Sequence, residues 1–279
     1  MLSLHTNAAA LSTQGSLGKT QSALSTSMTR LGTGFRVNSA MDDAAGLQIA
    51  TRLNAQTRGM GVAQRNTQNG ISMLQTAEGA LDEVSNIVLR MKDLATEGAS
   101  GTATADDLTA MKAEFDDLAL ELDNIMTNTK FGGQALLATG GKLEAGAVTF
   151  QIGSDKAEKY AFDASTEVKK VATDIGTLKG NAFGTSANAN TAIDQANDVL
   201  KAVGAARSKL GAGANRLDHV YNNLQNMSTN VSQAKGRIMD VDYATETSNM
   251  TTKQMLMQAS SSMLKQSNSM SGLVMSLLQ

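Results

Sequence analysis

The 279 residues carry 24 Lys and Arg against 26 Asp and Glu, a formal net charge of -2 at pH 7, with no local basic cluster, so a nucleic-acid surface is not expected. Cysteine is absent, which excludes disulfides, thiolate nucleophiles and thiolate metal sites; Pro and Trp are absent too, aromatics are only 3%, and there are 16 Met, a composition suited to helix seams rather than a sandwich core. No run of 18 apolar residues offers a membrane span, and the start, MLSLHTNAAALSTQ, lacks the basic and apolar regions of a Sec signal, so any export is expected to use another route.

Residues 1–29 contain Lys19 as their one formal charge, while Leu4, Ala8, Leu11, Leu17, Leu24 and Met28 recur at roughly helical spacing. A solvated helix usually carries charge on its outer face, so this segment fits poorly as the surface helix of a monomer. Residues 29–50, TRLGTGFRVNSAMDDAAGLQIA, then read as a junction: Gly32 and Gly34 permit a turn, and Asp42 or Asp43 can accept from the free amides that open a new helix. From Leu53 the apolar residues repeat every seven, at Met60, Thr67, Leu74, Leu81, Val88 and Ala95, with Ala63, Ala77, Val84 and Met91 three residues on. This is a coiled-coil-like seam on one helix over 44–97, roughly 80 Å long at about 1.5 Å per residue, and it predicts a rod.

EGASGTATADD is expected to turn the chain, with Thr104 or Asp106 capping a helix of some 25 residues whose seam is Leu108, Phe115 and Leu122 with Met111, Leu118 and Ile125. KFGG at 130–133 ends it. Period-two alternation at Val148, Phe150 and Ile152, the turn GSDKAEK, and Tyr160 with Phe162 predict a β-hairpin, and the rest to Asn190 reads as loops or short strands. Helical period returns at Ile193 and runs through Ala196, Val203, Leu210, Leu217, Leu224, Val231 and Ile238, which can pair antiparallel with the first long seam. DVDYATE interrupts it and offers Asp242 as the cap of a last helix, whose residues 247–279 carry only Lys253 and Lys265 as charges. There Met250, Met257 and Leu264, with Leu256, Met263, Met270 and Leu277, make a wide apolar face.

The fold class is therefore mainly α: an elongated antiparallel, coiled-coil-like helical bundle rod with a small central β-hairpin region. Its divisions are expected at 1–40 (N-terminal helix and linker), 41–135 (N-terminal rod helices), 136–190 (hairpin and loops), 191–239 (C-terminal rod helix) and 240–279 (C-terminal helix).

Chemistry-bearing motifs are missing. His5 and His219 cannot make a triad or a multi-histidine metal site, and GTGFRV lacks the third glycine and the preceding strand of a dinucleotide loop. Asp42 with Asp43 and Asp106 with Asp107 are paired acids, but each pair opens a predicted helix, where carboxylates favour the dipole. Asn226 and Asn230 fit the glycosylation pattern but lie inside a predicted helix. No enzymatic activity and no cofactor or metal is expected. Paired ends without charge point to self-assembly, and a heterologous contact that does not close propagates into a helical filament.

RLGTGFRVNSAMDDAAGLQIATRL, NTQNGISMLQTAEGALDEV and DVDYATETSNMTTKQMLMQASSSMLKQSNSMSGLVMSLLQ resemble bacterial flagellin, over about residues 1–137 and 191–279. The short centre suggests a form without large outer domains. The resemblance implies a structural subunit of the extracellular flagellar filament, serving motility, secreted through the flagellar type III channel, and polymerising with copies of itself. Its implied partners are a flagellar export chaperone, the filament cap and hook-associated proteins, with no nucleic acid and no membrane. Residues 1–40 and 240–279 would form the inner tube, with Leu4, Leu11, Leu24, Met28, Met257, Leu264, Met270 and Leu277 in self-assembly. Arg90, Leu94 and Glu114 fall on the pattern read by Toll-like receptor 5. Residues 29–50, with Asp42, Asp43 and Gly46, are similar to the peptide sensed by the plant flagellin receptor, although Met41 stands where the family commonly has Lys. A hook-filament junction protein and a secreted effector on a helical scaffold are the alternatives.

Overall fold

The computed structural model describes residues 7–181 and 183–276. Among them run six helices, α1 (Ala8–Thr33), α2 (Ala44–Gly98), α3 (Ala105–Asn128), α4 (Ser165–Lys179), α5 (Ser186–Met239) and α6 (Tyr243–Ser276). Two antiparallel hairpins lie between α3 and α4: β1 (Lys130–Phe131) with β2 (Gln134–Ala135), and β3 (Val148–Gln151) with β4 (Lys159–Phe162). The chain divides into two units, residues 58–228 and the segments 1–57 with 229–279.

The unit of 58–228 holds the large core. The heptad residues Met60, Thr67, Leu74, Leu81, Val88 and Ala95 of α2 are all buried, as are Ala196, Val203, Leu210, Leu217 and Leu224 of α5. Thr67 enters this apolar seam because its hydroxyl donates back to the carbonyl of Ala63 at 2.8 Å, leaving no unsatisfied donor. α2 and α5 run antiparallel, as the pairs Glu78–Arg207 and Gln64–Gln225 require. The Arg207 guanidinium is held in its charged form chiefly by the hydrogen bonds to Glu78. α3 adds Phe115 and Leu122 to the same core, and its start is a capping box in which Thr104 and Asp107 satisfy each other's backbone amides.

Two segments of this unit differ from the sequence expectation. Residues expected as loops or short strands form α4, because Val168, Val171, Ile175 and Leu178 recur at spacings of three, four and three and bury one face. α5 likewise begins at Ser186, ahead of the expected Ile193, and buries Ala189 and Ala192. KFGG does more than end α3: Gly132 and Gly133, both at positive φ, make the two-residue turn of β1–β2, with Phe131 opposite Gln134. The predicted β3–β4 hairpin forms in the register Phe150 opposite Tyr160, and its aromatic face lies on the long helices.

Glycines receive those aromatic rings. A Cβ at Gly70 of α2 would sit 2.9 Å from a Phe150 ring carbon, and one at Gly213 of α5 would sit 2.5 Å from a Phe162 ring carbon. Both glycines stand three residues after a buried heptad residue, Thr67 and Leu210, so the seam is notched where the hairpin docks. At the other end Phe115 and Phe183 stack at 5.0 Å with their planes within 2°.

The unit of 1–57 and 229–279 is built differently. α1 and α6 pack antiparallel: Asn7, which caps α1 by accepting from Ala10 N, donates to the Ser267 carbonyl, while the far end of α1 meets the start of α6. Little is buried there. Leu24 and Ser27 are the buried residues of α1, and Glu246 is a buried residue of α6.

Candidate assembly surface and junction

The junction follows from three local rules. α1 stops at Gly34, whose φ of 74° is left-handed and whose amide donates to Arg30 O; Gly32 stays inside the helix. A Cβ on Gly34 would lie 2.9 Å from the hydroxyl tip of the exposed Tyr243 side chain, which can shift, so it is the left-handed φ that reserves the position for glycine. Asp42 and Asp43 then divide the work of restarting the chain. The Asp42 carboxylate accepts from the Ser39 and Asn38 amides at 2.9 and 3.1 Å, which together with the Ser39 hydroxyl holds its pKa below the ordinary value. Asp43 is the cap: its Oδ1 accepts from Gly46 N at 2.8 Å, and its carbonyl accepts from Leu47. Gly46 is buried beneath that carboxylate, where a Cβ would meet Asp43 Oδ2.

The two linkers of this unit are stitched together. Phe35 pairs with Asp240 in an antiparallel bridge, with Arg36 N donating to Met239 O at 2.6 Å and Val241 N to Gly34 O at 3.0 Å. The Arg36 guanidinium adds a bond to Ile238 O at 2.8 Å. Asp242, as expected, caps α6 by accepting from Ala244 N and Thr245 N, and the Thr245 hydroxyl is the main cause of its lowered pKa. Arg30 stands 4.0 Å from Asp42 and 3.9 Å from Glu246, linking the end of α1 to both neighbours.

Beyond the junction the α1 and α6 faces are apolar and open. Leu11, Met28 and Met270, three of the residues expected to drive self-association, are more than half exposed, and Met255, Leu256 and Met263 extend the stripe. Met257 and Leu264 are half-buried, Leu24 is buried within the chain, and Leu4 and Leu277 lie outside the described residues. Threonines between them are internally satisfied: Thr13, Thr20, Thr26 and Thr29 of α1 and Thr247, Thr251 and Thr252 of α6 each donate to the carbonyl four residues earlier. Such a face can be covered by another protein surface without stranding those hydroxyls.

In the other unit, Arg90 and Glu114 are joined on the surface by two hydrogen bonds, at 2.7 and 2.9 Å, between α2 and α3. Leu94, one turn along, is only 2% exposed and belongs to the core. The structure thus brings Arg90 and Glu114 together and buries Leu94 in the core. Among the described residues no group of three or more His, Asp or Glu side chains is placed to hold a metal ion.

Residues 4–141 match the bacterial flagellin N-terminal helical region, and residues 190–278 match the bacterial flagellin C-terminal helical region. A flagellin of Halalkalibacterium halodurans is 41% identical over 252 residues, which cover 90% of this chain and 90% of that one. Flagellin C of Vibrio cholerae is 34% identical over 362 aligned residues, covering 95% of this chain and 96% of its own. A flagellar hook-associated protein of Vibrio parahaemolyticus has the same fold, with a TM-score of 0.56 at 17% identity over 71% of this chain and 100% of that one. Matched at both ends and related across nearly its whole length, the chain belongs to the bacterial flagellin family.

Proposed function

We propose that this chain is a structural subunit of a bacterial flagellar filament whose contacts with its own copies run through the open faces of α1 and α6. The observation that carries the reading is the contrast between the two units. Residues 58–228 bury their seams within the chain, whereas Leu11, Met28, Met255, Leu256, Met263 and Met270 stay exposed on helices that carry almost no charge. Burying apolar surface stabilises by about 25 cal/mol per Å², and a heterologous contact repeats without closing. The test is to remove residues 247–279 and image the protein by electron microscopy under polymerising conditions. Filaments are expected from the full chain and not from the truncated one; long filaments from both would overturn the assignment of the surface. Short rings in place of filaments from the full chain would favour a hook-filament junction role.

On the same reading the chain travels unfolded through the flagellar export channel with a chaperone, and is secreted to an extracellular filament bounded by cap and hook-associated proteins. Arg90 and Glu114, joined on the surface, with the buried Leu94 one turn along α2, form the patch offered to Toll-like receptor 5 by released subunits. Arg90→Ala is expected to abolish signalling in a receptor reporter cell while leaving far-UV circular dichroism unchanged, because an exposed ion pair contributes only about 0–1 kcal/mol. The junction residues Asp42, Asp43 and Gly46 would lie within the segment sensed by the plant receptor.

A further inference from the structure

We infer that the methionines of α1 and α6 make assembly of the free subunit sensitive to peroxide-class oxidants, with Met28, Met255, Met263 and Met270 as the modification sites. The inference rests on the assembly reading above. Those four thioethers are each more than half exposed, whereas Met60, Met73, Met91 and Met126 of the other unit are buried at 8% exposure or less. No cysteine competes for the oxidant, because the chain has none. Accessibility thus separates these four, which lie in the apolar stripe itself, from the buried four, with Met111, Met239, Met250 and Met257 half-buried between them and Met227 38% exposed.

The chemistry is a two-electron oxygen transfer. A sulfur lone pair attacks one oxygen of hydrogen peroxide, the O–O bond breaks as the S–O bond forms, and the proton of the transferred oxygen passes to the departing hydroxide. Sulfur is oxidised to the sulfoxide and the peroxide is reduced to water. The product replaces a soft apolar side chain with a strongly polar oxygen that needs a donor when covered. At Met255 the hydroxyls one turn away on α6 are already committed: Thr251 and Thr252 donate to backbone carbonyls. A filament repeats the lesion in every subunit. Each buried, unpartnered sulfoxide is expected to raise the critical concentration by about tenfold.

The test treats full-length free subunits with dilute hydrogen peroxide, maps sulfoxides by peptide mass spectrometry, and follows elongation of sonicated filament seeds by light scattering. Sulfoxide is expected at the four exposed α1 and α6 methionines before the buried four, with loss of elongation in proportion. Treatment with methionine sulfoxide reductases is expected to restore it. The quadruple variant Met28→Leu, Met255→Leu, Met263→Leu, Met270→Leu is expected to elongate seeds after the same treatment, Leu being close in volume and inert to peroxide. Met41 is 97% exposed in the junction and oxidises as well, so Met41→Leu provides the control that should rescue nothing. Normal elongation by oxidised wild-type subunits, or equal loss in the quadruple variant, would overturn the inference while leaving the assembly reading intact. Failure of untreated subunits to elongate seeds would overturn the assembly reading and this inference with it. Reductase rescue of the wild-type chain decides the matter even where the quadruple variant folds poorly.

Discussion

Gly213 and Gly204 lie nine positions apart in α5, and the same substitution should act in opposite directions at the two. Replacing a mid-helix glycine by alanine ordinarily stabilises by up to about 1 kcal/mol, because alanine loses less conformational freedom on folding. A Cβ at Gly204 meets nothing within 4 Å, so Gly204→Ala is expected to deliver that gain in full. At Gly213 the new carbon would stand 2.5 and 2.8 Å from two carbons of the Phe162 ring and 3.2 Å from Leu74 Cδ1. Phe162 is 2% exposed and Leu74 fully buried, so neither can swing away into solvent. Overpacking of this kind costs about 1–3 kcal/mol, which exceeds the propensity gain and leaves Gly213→Ala destabilised by up to about 2 kcal/mol. Urea unfolding of the free subunit, followed by circular dichroism at 222 nm, reads both shifts as changes in midpoint at constant slope. Combining Gly213→Ala with Phe162→Leu should recover part of the loss, as a coupling energy in a double-mutant cycle. If Gly213→Ala stabilises as much as Gly204→Ala does, the helix has no notch there and the docking argument for the hairpin is wrong.

Leu81 is fully buried and Leu11 is 59% exposed, so Leu81→Ala should lower subunit stability by about 2–5 kcal/mol in the same urea experiment. Leu11→Ala should leave the urea midpoint unmoved and slow seeded elongation instead. The junction should weaken in acid. Asp42 and Asp242 have folded-state pKa values below the ordinary 3.8, so the folded chain binds fewer protons than the unfolded one. Their contribution is present above that value and is lost as pH falls through the lower folded-state values. Asp42→Asn with Asp242→Asn, scanned by thermal unfolding from pH 6 to pH 2, should flatten this loss; an unchanged pH profile would refute the role given to the two carboxylates. Phe35 and Asp240 form a non-hydrogen-bonded antiparallel pair, for which the Cα separation is about 4.5 Å, within the range a disulfide spans. Phe35→Cys with Asp240→Cys should therefore crosslink nearly completely on mild oxidation, read as a gel-mobility shift in a chain with no other thiol, and a chain that stays reduced would refute the bridge.

Regular seams were legible because each buried residue repeats the demand of the last: from Met60 to Ala95 one heptad position alone predicts six buried residues of α2. Caps were legible for the same local reason, Thr104 and Asp242 each standing at a break in the apolar period. α4 escaped because its four apolar residues, set among Lys, Asp, Glu and Thr, belong to a stretch running to Asn190 that is rich in Gly, Thr, Asn and Ala, and composition averaged over that stretch hid a spacing visible only residue by residue. The β1–β2 turn had a signal in the pair Gly132-Gly133, which suits a two-residue hairpin loop. Gly70 and Gly213 interrupt the companion seam, yet nothing local says that an aromatic ring from residues 150–162 fills each gap. That information resides in tertiary packing, as does the burial of Leu94 while Arg90, one turn away, stays at the surface paired with Glu114. Which of two adjacent acids caps α2 depends on how residues 34–43 turn, and that in turn depends on pairing with residues 239–241.

The stitched linkers have a consequence for the order in which the chain becomes ordered. Arg36 and Ile238 are 202 residues apart, and closing so large a loop in an unfolded chain costs about 5 kcal/mol in entropy. Once residues 58–228 have folded, Gln64 and Gln225 are already in contact and the free span between the linkers is several-fold shorter, so closure becomes roughly tenfold more favourable. Folding should therefore proceed from the middle of the chain outwards, with the two ends finding each other last.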